Sequence, residues 1–302
     1  MSKIGVAILG ASGAVGQTYR KLLSNHPYFE IRLLTTSEQN VGCAVDEYIL
    51  ESSNSIEKAL ALDVKIVFSC LNALDAQQLE PIWALHCLVI SSASTFRDAE
   101  RLILPEINGH KVIGARRGIF AKSNCTVHPI VLSMQPLMQF GIERVSATTL
   151  QAMSGAGKKG LAAMDIVDNI IPYIAEEETK IQQEVDLLLG QPIPLFITCC
   201  RVPVIDGHMV CMELALKHPF SLEEVEQKFL EKNYIQICRQ KDRPQPRLDR
   251  DWLAGMGVSI GRIRRVHGKS IMFVALSHNR IRGAAGTGIK IAEIAYGIVQ
   301  PD

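Results

Sequence analysis

Apolar residues run unbroken from Ile4 to Leu9 and stop at GASGAVG, Gly10 to Gly16. Such a run predicts a buried strand, and Val15, Tyr19, Leu22 and Leu23 behind it fall on one side of a helix. Phe29 to Leu34, Lys65 to Leu71 and Cys87 to Ser92 are further short runs that read as buried parallel strands. With helical linkers between them, the first 120 residues predict a doubly wound sheet. Past residue 124 the pattern changes. Val127 to Leu132 is apolar at helical length, and Arg144 to Gln151 alternates like a strand before a second glycine-rich turn, MSGAGKKG. Ala162 to Ile174 and Glu176 to Leu189 read as helices. Cys199 to Val204, Met209 to Leu216, Val258 to Arg264 and Ser270 to Ser277 read as strands. Ser221 with Glu224 fits a capping box in front of the helix LEEVEQKFL. Arg243 to Asp251 is a Pro-rich charged loop, and Gly283 to Val299 an apolar helix that needs cover and is expected to pack back on the first domain. Several strands without regular intervening helices predict an α+β second domain with a mixed sheet.

Length and composition narrow the function classes. A chain of 302 residues predicts two domains, placed here at 1–124 with 280–302 and at 125–279. A net charge of +1 gives no general attraction to nucleic acid or to an anionic membrane. No apolar run approaches the roughly 20 residues of a membrane span. Eight cysteines in a chain of this size do not make a disulfide framework, and the absence of a CxxC pair argues against a zinc site. A cytoplasmic location without a bound metal is the expectation.

Two stretches carry chemistry. Strand, glycine turn and helix at GASGAVG present backbone N–H groups to a dinucleotide pyrophosphate, although the spacing is GxxGxxG rather than GxGxxG. After the second strand an acid would bind a ribose 2′-hydroxyl and an arginine a 2′-phosphate; Glu38 and Gln39 leave NAD and NADP both open. The second stretch is SNCTVHPIVL, Ser123 to Leu132. A thiol leading into a helix faces unpaired N–H groups and the positive end of the helix dipole, which favours its thiolate. A buried structural cysteine is the competing reading. Arg97, just past a strand end, is by itself a surface charge.

GASGAVG, SNCT, QAMSGAGKKG, RVPVIDGH and HNRIRGAAG occur in this order along the chain. Over almost its whole length the chain resembles the aspartate-semialdehyde dehydrogenases. DNIIPYI, EEETK, RVPVIDGH and DRPQPRLDR look most like the archaeal and fungal branch. The resemblance implies NADPH-dependent reduction of L-aspartyl 4-phosphate to aspartate 4-semialdehyde and phosphate, in the biosynthesis of lysine, threonine and methionine. It also implies a homodimer or homotetramer acting on a small molecule. Carried across, Cys125 matches the acylated nucleophile, Gln151 the amide that orients the thioester and His208 the acid/base histidine. Arg201 matches the arginine for the substrate α-carboxylate and Glu177 the residue for its ammonium. Lys180 and Arg97 resemble the phosphate ligands. Gly10, Ser12, Gly13, Ala14, Val15, Gly16 and Ser37 would hold the dinucleotide, with Ser154, Gly155 and Asn279 against its nicotinamide. Many relatives carry S-x-R-S-A-G-K where this chain has SEQNVGC, so Gln39 and Cys43 replace both cations and selectivity against NAD is left open.

These residue types suit that reaction. A thiolate displaces phosphate from an acyl phosphate to give a thioester that accepts hydride. The N–H of Cys125 and the amide of Asn124 are the expected donors to the developing oxyanion. Arg201 offers a planar fork to a carboxylate. Glu177 and Lys180, three apart, share a helix face. His208 is expected to titrate at about 6.5 and to exchange protons with the thiol. Two other functions remain open. In an N-acetyl-glutamyl-phosphate reductase Glu177 would meet no ammonium; a non-catalytic dinucleotide-binding protein would need no Cys125, Gln151, Arg201 and His208 together.

Overall fold

The computed structural model describes residues 2–157 and 160–301; Lys158 and Lys159 of the second glycine-rich turn lie outside the described residues. The chain divides into two compact units, Met1–Ser123 with Ala284–Asp302, and Asn124–Gly283.

The first unit is a parallel sheet with helices on it. Strands β1 (Ile4–Leu9), β2 (Phe29–Thr36), β3 (Val64–Ser69), β4 (Leu88–Ser91) and β5 (Gly118–Lys122) lie in the order β2-β1-β3-β4-β5. Two-residue pieces, Glu51–Ser52 and Leu102–Ile103, close its edges. Both faces are covered, which explains why these strands carry continuous apolar runs instead of alternation. The chain leaves β1 towards β2 and returns on the other side to β3, so the order reverses between β1 and β3. Ligands of such sheets bind at the strand carboxyl ends beside that reversal. Helices α1 (Ala14–Leu23), α2 (Ile56–Ala61) and α3 (Ala73–Ala84) connect the strands. At the head of α3 the Asn72 side chain accepts the Asp75 N–H at 3.0 Å. The C-terminal helix Gly286–Ala295 belongs to this unit, where Ile289, Ile291, Ala292 and Ile294 join the core of Val6, Tyr19 and Phe29. Gly288 is required there, since a Cβ would lie 1.8 Å from the Tyr19 hydroxyl. The helix is shorter than its apolar pattern, because a π-turn at Ile281–Ala285 precedes it and Gly297 follows at φ 69°.

The second unit is a mixed sheet. Helix α4 (Val127–Met134) comes first, then β6 (Ile142–Gln151), α5 (Glu177–Leu189), β7 (Leu195–Arg201), β8 (His208–Leu216), α6 (Leu222–Leu230), β9 (Ile235–Cys238), β10 (Val258–Arg265) and β11 (Ser270–Ser277). The order is β7-β6-β8-β11-β10-β9, with the outer pairs β6/β7 and β9/β10 parallel and the inner pairs antiparallel. Along β8 buried and half-buried residues alternate strictly, as in a strand covered mainly on one face. The Ser221–Glu224 capping box forms as the sequence predicts.

Three expectations are corrected. The helix read over 162–174 is a single turn, Ala163–Ile166. Pro172 disfavours helix at Ile171, whose backbone instead bridges Arg201 with N···O distances of 2.8 and 3.0 Å. The strand read over 199–204 is β7, which starts four residues earlier in register with β6 and stops before Pro203, which has no N–H to offer. Part of the loop 243–251 is the helical turn Pro246–Asp249, where Asp249 takes the Arg243 guanidinium at 2.6 Å. Among the described residues no helix is long and apolar enough to cross a membrane.

Candidate active site

Cys125 lies one residue before Thr126, the N-cap of α4. Every residue of α4 is buried, including Val127 and His128, so the turn carrying the thiol is anchored by the core of its unit. Within the turn the Asn124 side-chain oxygen accepts the Thr126 N–H at 2.8 Å. The sulfur stands 3.2 Å from His208 Nε2. Gly283 packs directly behind the cysteine, since a Cβ there would be 2.4 Å from Cys125 Cβ.

His208 opens β8 and is fully buried. The Ala152 N–H donates to its Nδ1 at 3.1 Å. A neutral ring with Nδ1 so occupied carries its proton on Nε2, facing the sulfur. Burial, and then the Arg201 charge, push its pKa down to about 3. The expected value of about 6.5 is therefore corrected: this imidazole stays neutral over the physiological range.

Gln151 and Arg201 end two parallel neighbours, β6 and β7, and are paired in register. Arg201 is buried and donates to the Ala152 carbonyl at 2.9 Å, and burial lowers its pKa. Gly155 lets the chain pass over both cationic and imidazole groups: a Cβ would lie 2.6 Å from Arg201 Nη1 and 3.2 Å from His208 Cε1. Glu177 Oε1, at the first turn of α5, accepts from Asn124 Nδ2 at 3.0 Å and from Gln151 Nε2 at 3.2 Å. Asn124 differs from expectation. Its backbone N–H is taken by Glu184 at 2.6 Å and its side-chain amide donates to Glu177 at 3.0 Å. Lys180 points away to Glu176, at 2.9 Å on the half-exposed side of α5.

The loop before His208 is braced from β11. Asn279 accepts the Gly207 N–H at 2.8 Å and donates to Ser154 Oγ at 2.8 Å. Asp206 takes the Arg280 fork, with Nε at 2.7 Å. Burial opposes its ionisation, but the Arg280 fork and the Ser154 hydroxyl hold the carboxyl below the usual range.

The remaining predicted residues lie in the first unit. Gly10, at φ 74°, turns the chain where β1 ends, against the Cys70 carbonyl that follows β3. Gly10, Ser12, Gly13 and Ser37 line a cavity of about 390 Å³ at that reversal. Ala14, Val15 and Gly16 form the first turn of α1 and do not line it. Gly16 serves helix–strand packing, since a Cβ would lie 2.4 Å from the Gly10 carbonyl oxygen. Arg97 follows the short turn Ser94–Phe96 and donates to the Ser92 carbonyl at 3.0 Å.

Residues 5–115 match the family model for the NAD binding domain of semialdehyde dehydrogenases, and residues 134–282 that for their dimerisation domain. Aspartate-semialdehyde dehydrogenase of Archaeoglobus fulgidus is 36% identical, over 96% of this chain and 97% of its own. The chain belongs to the aspartate-semialdehyde dehydrogenase family. The Candida albicans member is 37% identical over 97% and 98% of the two chains. A Candida albicans aspartate-semialdehyde dehydrogenase solved with NADP superposes with a TM-score of 0.87 at 33% identity, over 98% of this chain and 100% of that one. The Vibrio cholerae enzyme II, solved in complex with ASA, gives 0.87 at 27% over 98% and 99%.

Within this family frame, sequence reasoning missed Gly283, Glu184 and the Asp206–Arg280 pair. Glu184 had a signal: it falls on the inward stripe of α5 with Ile181, Val185 and Leu188, where an acid needs a buried donor. Gly283 sits in HNRIRGAAG, but nothing in that spacing places it against a cysteine more than 150 residues earlier.

Proposed function

We propose that this chain reduces L-aspartyl 4-phosphate to aspartate 4-semialdehyde and phosphate, with Cys125 carrying the aspartyl group as a thioester. The observation that carries the reading is the 3.2 Å approach of Cys125 Sγ to His208 Nε2 beside Arg201, Gln151 and Glu177. A ring whose only N–H faces the sulfur stabilises a thiolate; it does not draw off a thiol proton.

The thiolate attacks the acyl carbon, a C–S bond forms and the C–O bond to phosphate breaks. The one proton that the overall reaction consumes goes to the departing phosphate. When bound, a reduced nicotinamide dinucleotide would supply the hydride for the thioester carbonyl. The resulting tetrahedral alkoxide then re-forms its carbonyl, expels the Cys125 thiolate and releases the aldehyde. His208 needs no net proton transfer in this sequence. Its Nε2–H stabilises sulfur as nucleophile and again as leaving group. Arg201 binds the α-carboxylate, Glu177 the ammonium, and Gln151 orients the thioester. Arg97 is a phosphate ligand in this reading, and Lys180 can join it only by leaving its pair with Glu176.

The cradle for the dinucleotide is the cavity of the first unit. Its glycine turn leads into Gly13, the N-cap of α1, which leaves the first N–H groups of a ten-residue helix for a pyrophosphate. Gly10, Ser12, Gly13 and Ser37 would hold the adenosine half, and Ser154, Gly155 and Asn279 the nicotinamide. The second unit then carries both the chemistry and the contact of a homodimer or homotetramer, in the cytoplasm. Phosphate-dependent reduction of the dinucleotide by aspartate semialdehyde tests the assignment. Cys125→Ala is expected to abolish that turnover while keeping the wild-type melting curve; turnover retained in that variant refutes the thioester route.

A further inference from the structure

Family resemblance points to NADP, whose adenosine ribose carries a phosphate at the 2′ position. The cavity at the carboxyl ends of β1 and β2 does not match that group. Its charged lining residues are Glu38 and Asp75, and no lysine or arginine is among its described lining residues. Glu38 lies two residues past the end of β2, in the region where sheets of this type place the residue that reads the ribose. Its carboxylate is held by the Ser52 hydroxyl at 2.6 Å. Gln39 and Cys43, further along the same segment, are exposed and uncharged. Lys58, in the helix that follows the lining residues Ser53 and Asn54, is paired with Glu51 at 2.5 Å.

We infer that Glu38 makes this pocket a reader of the free ribose 2′-hydroxyl, so that the chain binds NADH at least as tightly as NADPH. A carboxylate accepts a hydrogen bond from a 2′-hydroxyl and repels a 2′-phosphate dianion. The other polar lining side chains, Ser12, Thr36, Ser37, Ser53, Asn54 and Asn72, are uncharged and neither attract nor repel a 2′-phosphate by charge. The inference rests on the dinucleotide reading of the first unit, but makes a claim that reading does not.

The test is calorimetric titration of the full chain, without substrate, with NADH and with NADPH. AMP and adenosine 2′,5′-bisphosphate serve as competing probes of the adenosine half alone. The wild-type protein is expected to bind NADH with a Kd no higher than that for NADPH, and AMP at least as tightly as the bisphosphate. Glu38→Gln should tighten NADPH and weaken NADH. Gln39→Arg with Cys43→Lys should tighten NADPH by about tenfold, the gain of a charge-assisted contact, with little change for NADH. Wild-type protein that binds NADPH more tightly than NADH, or a ratio that Glu38→Gln leaves unmoved, overturns the inference. Binding of neither dinucleotide overturns the cofactor reading and this inference with it.

Discussion

Gly283→Ala perturbs the site without touching a polar group. The added methyl would lie 2.4 Å from Cys125 Cβ and 2.8 Å from its Cα. Ordinary carbon contacts begin at about 3.5 Å, so one of the two segments must give by about 1 Å. Neither neighbour is a flexible side-chain end: both are at the root of the cysteine, whose turn is fixed by the buried helix α4. A displacement of that size takes the sulfur from 3.2 Å to about 4 Å from His208 Nε2, past hydrogen-bond reach. Misplacing a reacting atom by about 1 Å costs about a hundredfold in rate, or about 2.7 kcal/mol of barrier. Overpacking adds about 1–3 kcal/mol of destabilisation, a loss of a few degrees in Tm. Steady-state turnover of aspartate semialdehyde, with iodoacetamide modification of Cys125 and a thermal melt on the same samples, reads all three effects. The reasoning is refuted if kcat stays within about threefold of wild type.

Four further outcomes are expected. Arg201→Lys keeps the charge but loses the fork and the Ala152 contact; KM for the semialdehyde should rise at least tenfold, about 1.4 kcal/mol, and an unchanged KM removes its assignment. Ser221→Ala removes the capping box of α6 and should cost about 1 kcal/mol in urea unfolding, with activity unchanged. His208 has a folded pKa of about 3, below its unfolded value, so the unfolded chain binds more protons and stability should rise with pH between the two values. His208→Asn should remove up to about 1.4 kcal/mol per pH unit of slope across that window, and an unchanged slope in urea titrations contradicts the buried neutral ring. Asp206 is the opposite case of a depressed acid: its contribution holds above the unfolded pKa and is lost as pH falls through the folded one. Asp206→Asn should therefore lower stability at neutral pH and flatten the acid limb of the stability curve.

Much of this was legible in the chain because each signal was local. The unbroken run Ile4 to Leu9 gave its strand to the residue, and Ser221 with Glu224 gave a cap, since both depend on neighbours in sequence. Residues 162–174 misled, because their helical periodicity lost to a backbone bridge with Arg201 some thirty positions later. β9 went unread: four residues, mostly half-buried at a sheet edge, leave almost no periodic trace. In the site, Cys125, Gln151, Arg201 and His208 were visible through motifs. The proton on His208 was not, because it is set by the Ala152 N–H, a backbone group that no residue type encodes. Glu177 and Lys180 illustrate the limit of helical spacing: three apart, one turns to Asn124 and the other to Glu176.

The first unit is assembled from both ends of the chain, with Ile289, Ile291 and Ile294 filling the core around Tyr19 and Phe29. Synthesis on a ribosome therefore reverses the expected order of maturation. Residues 1–123 emerge early but stay uncapped until residues 284–302 arrive, whereas 124–283 form an uninterrupted stretch that can close before them. A released chain truncated after residue 283 should resist protease in the later segment and yield to it in the earlier one. What is translated first becomes complete last.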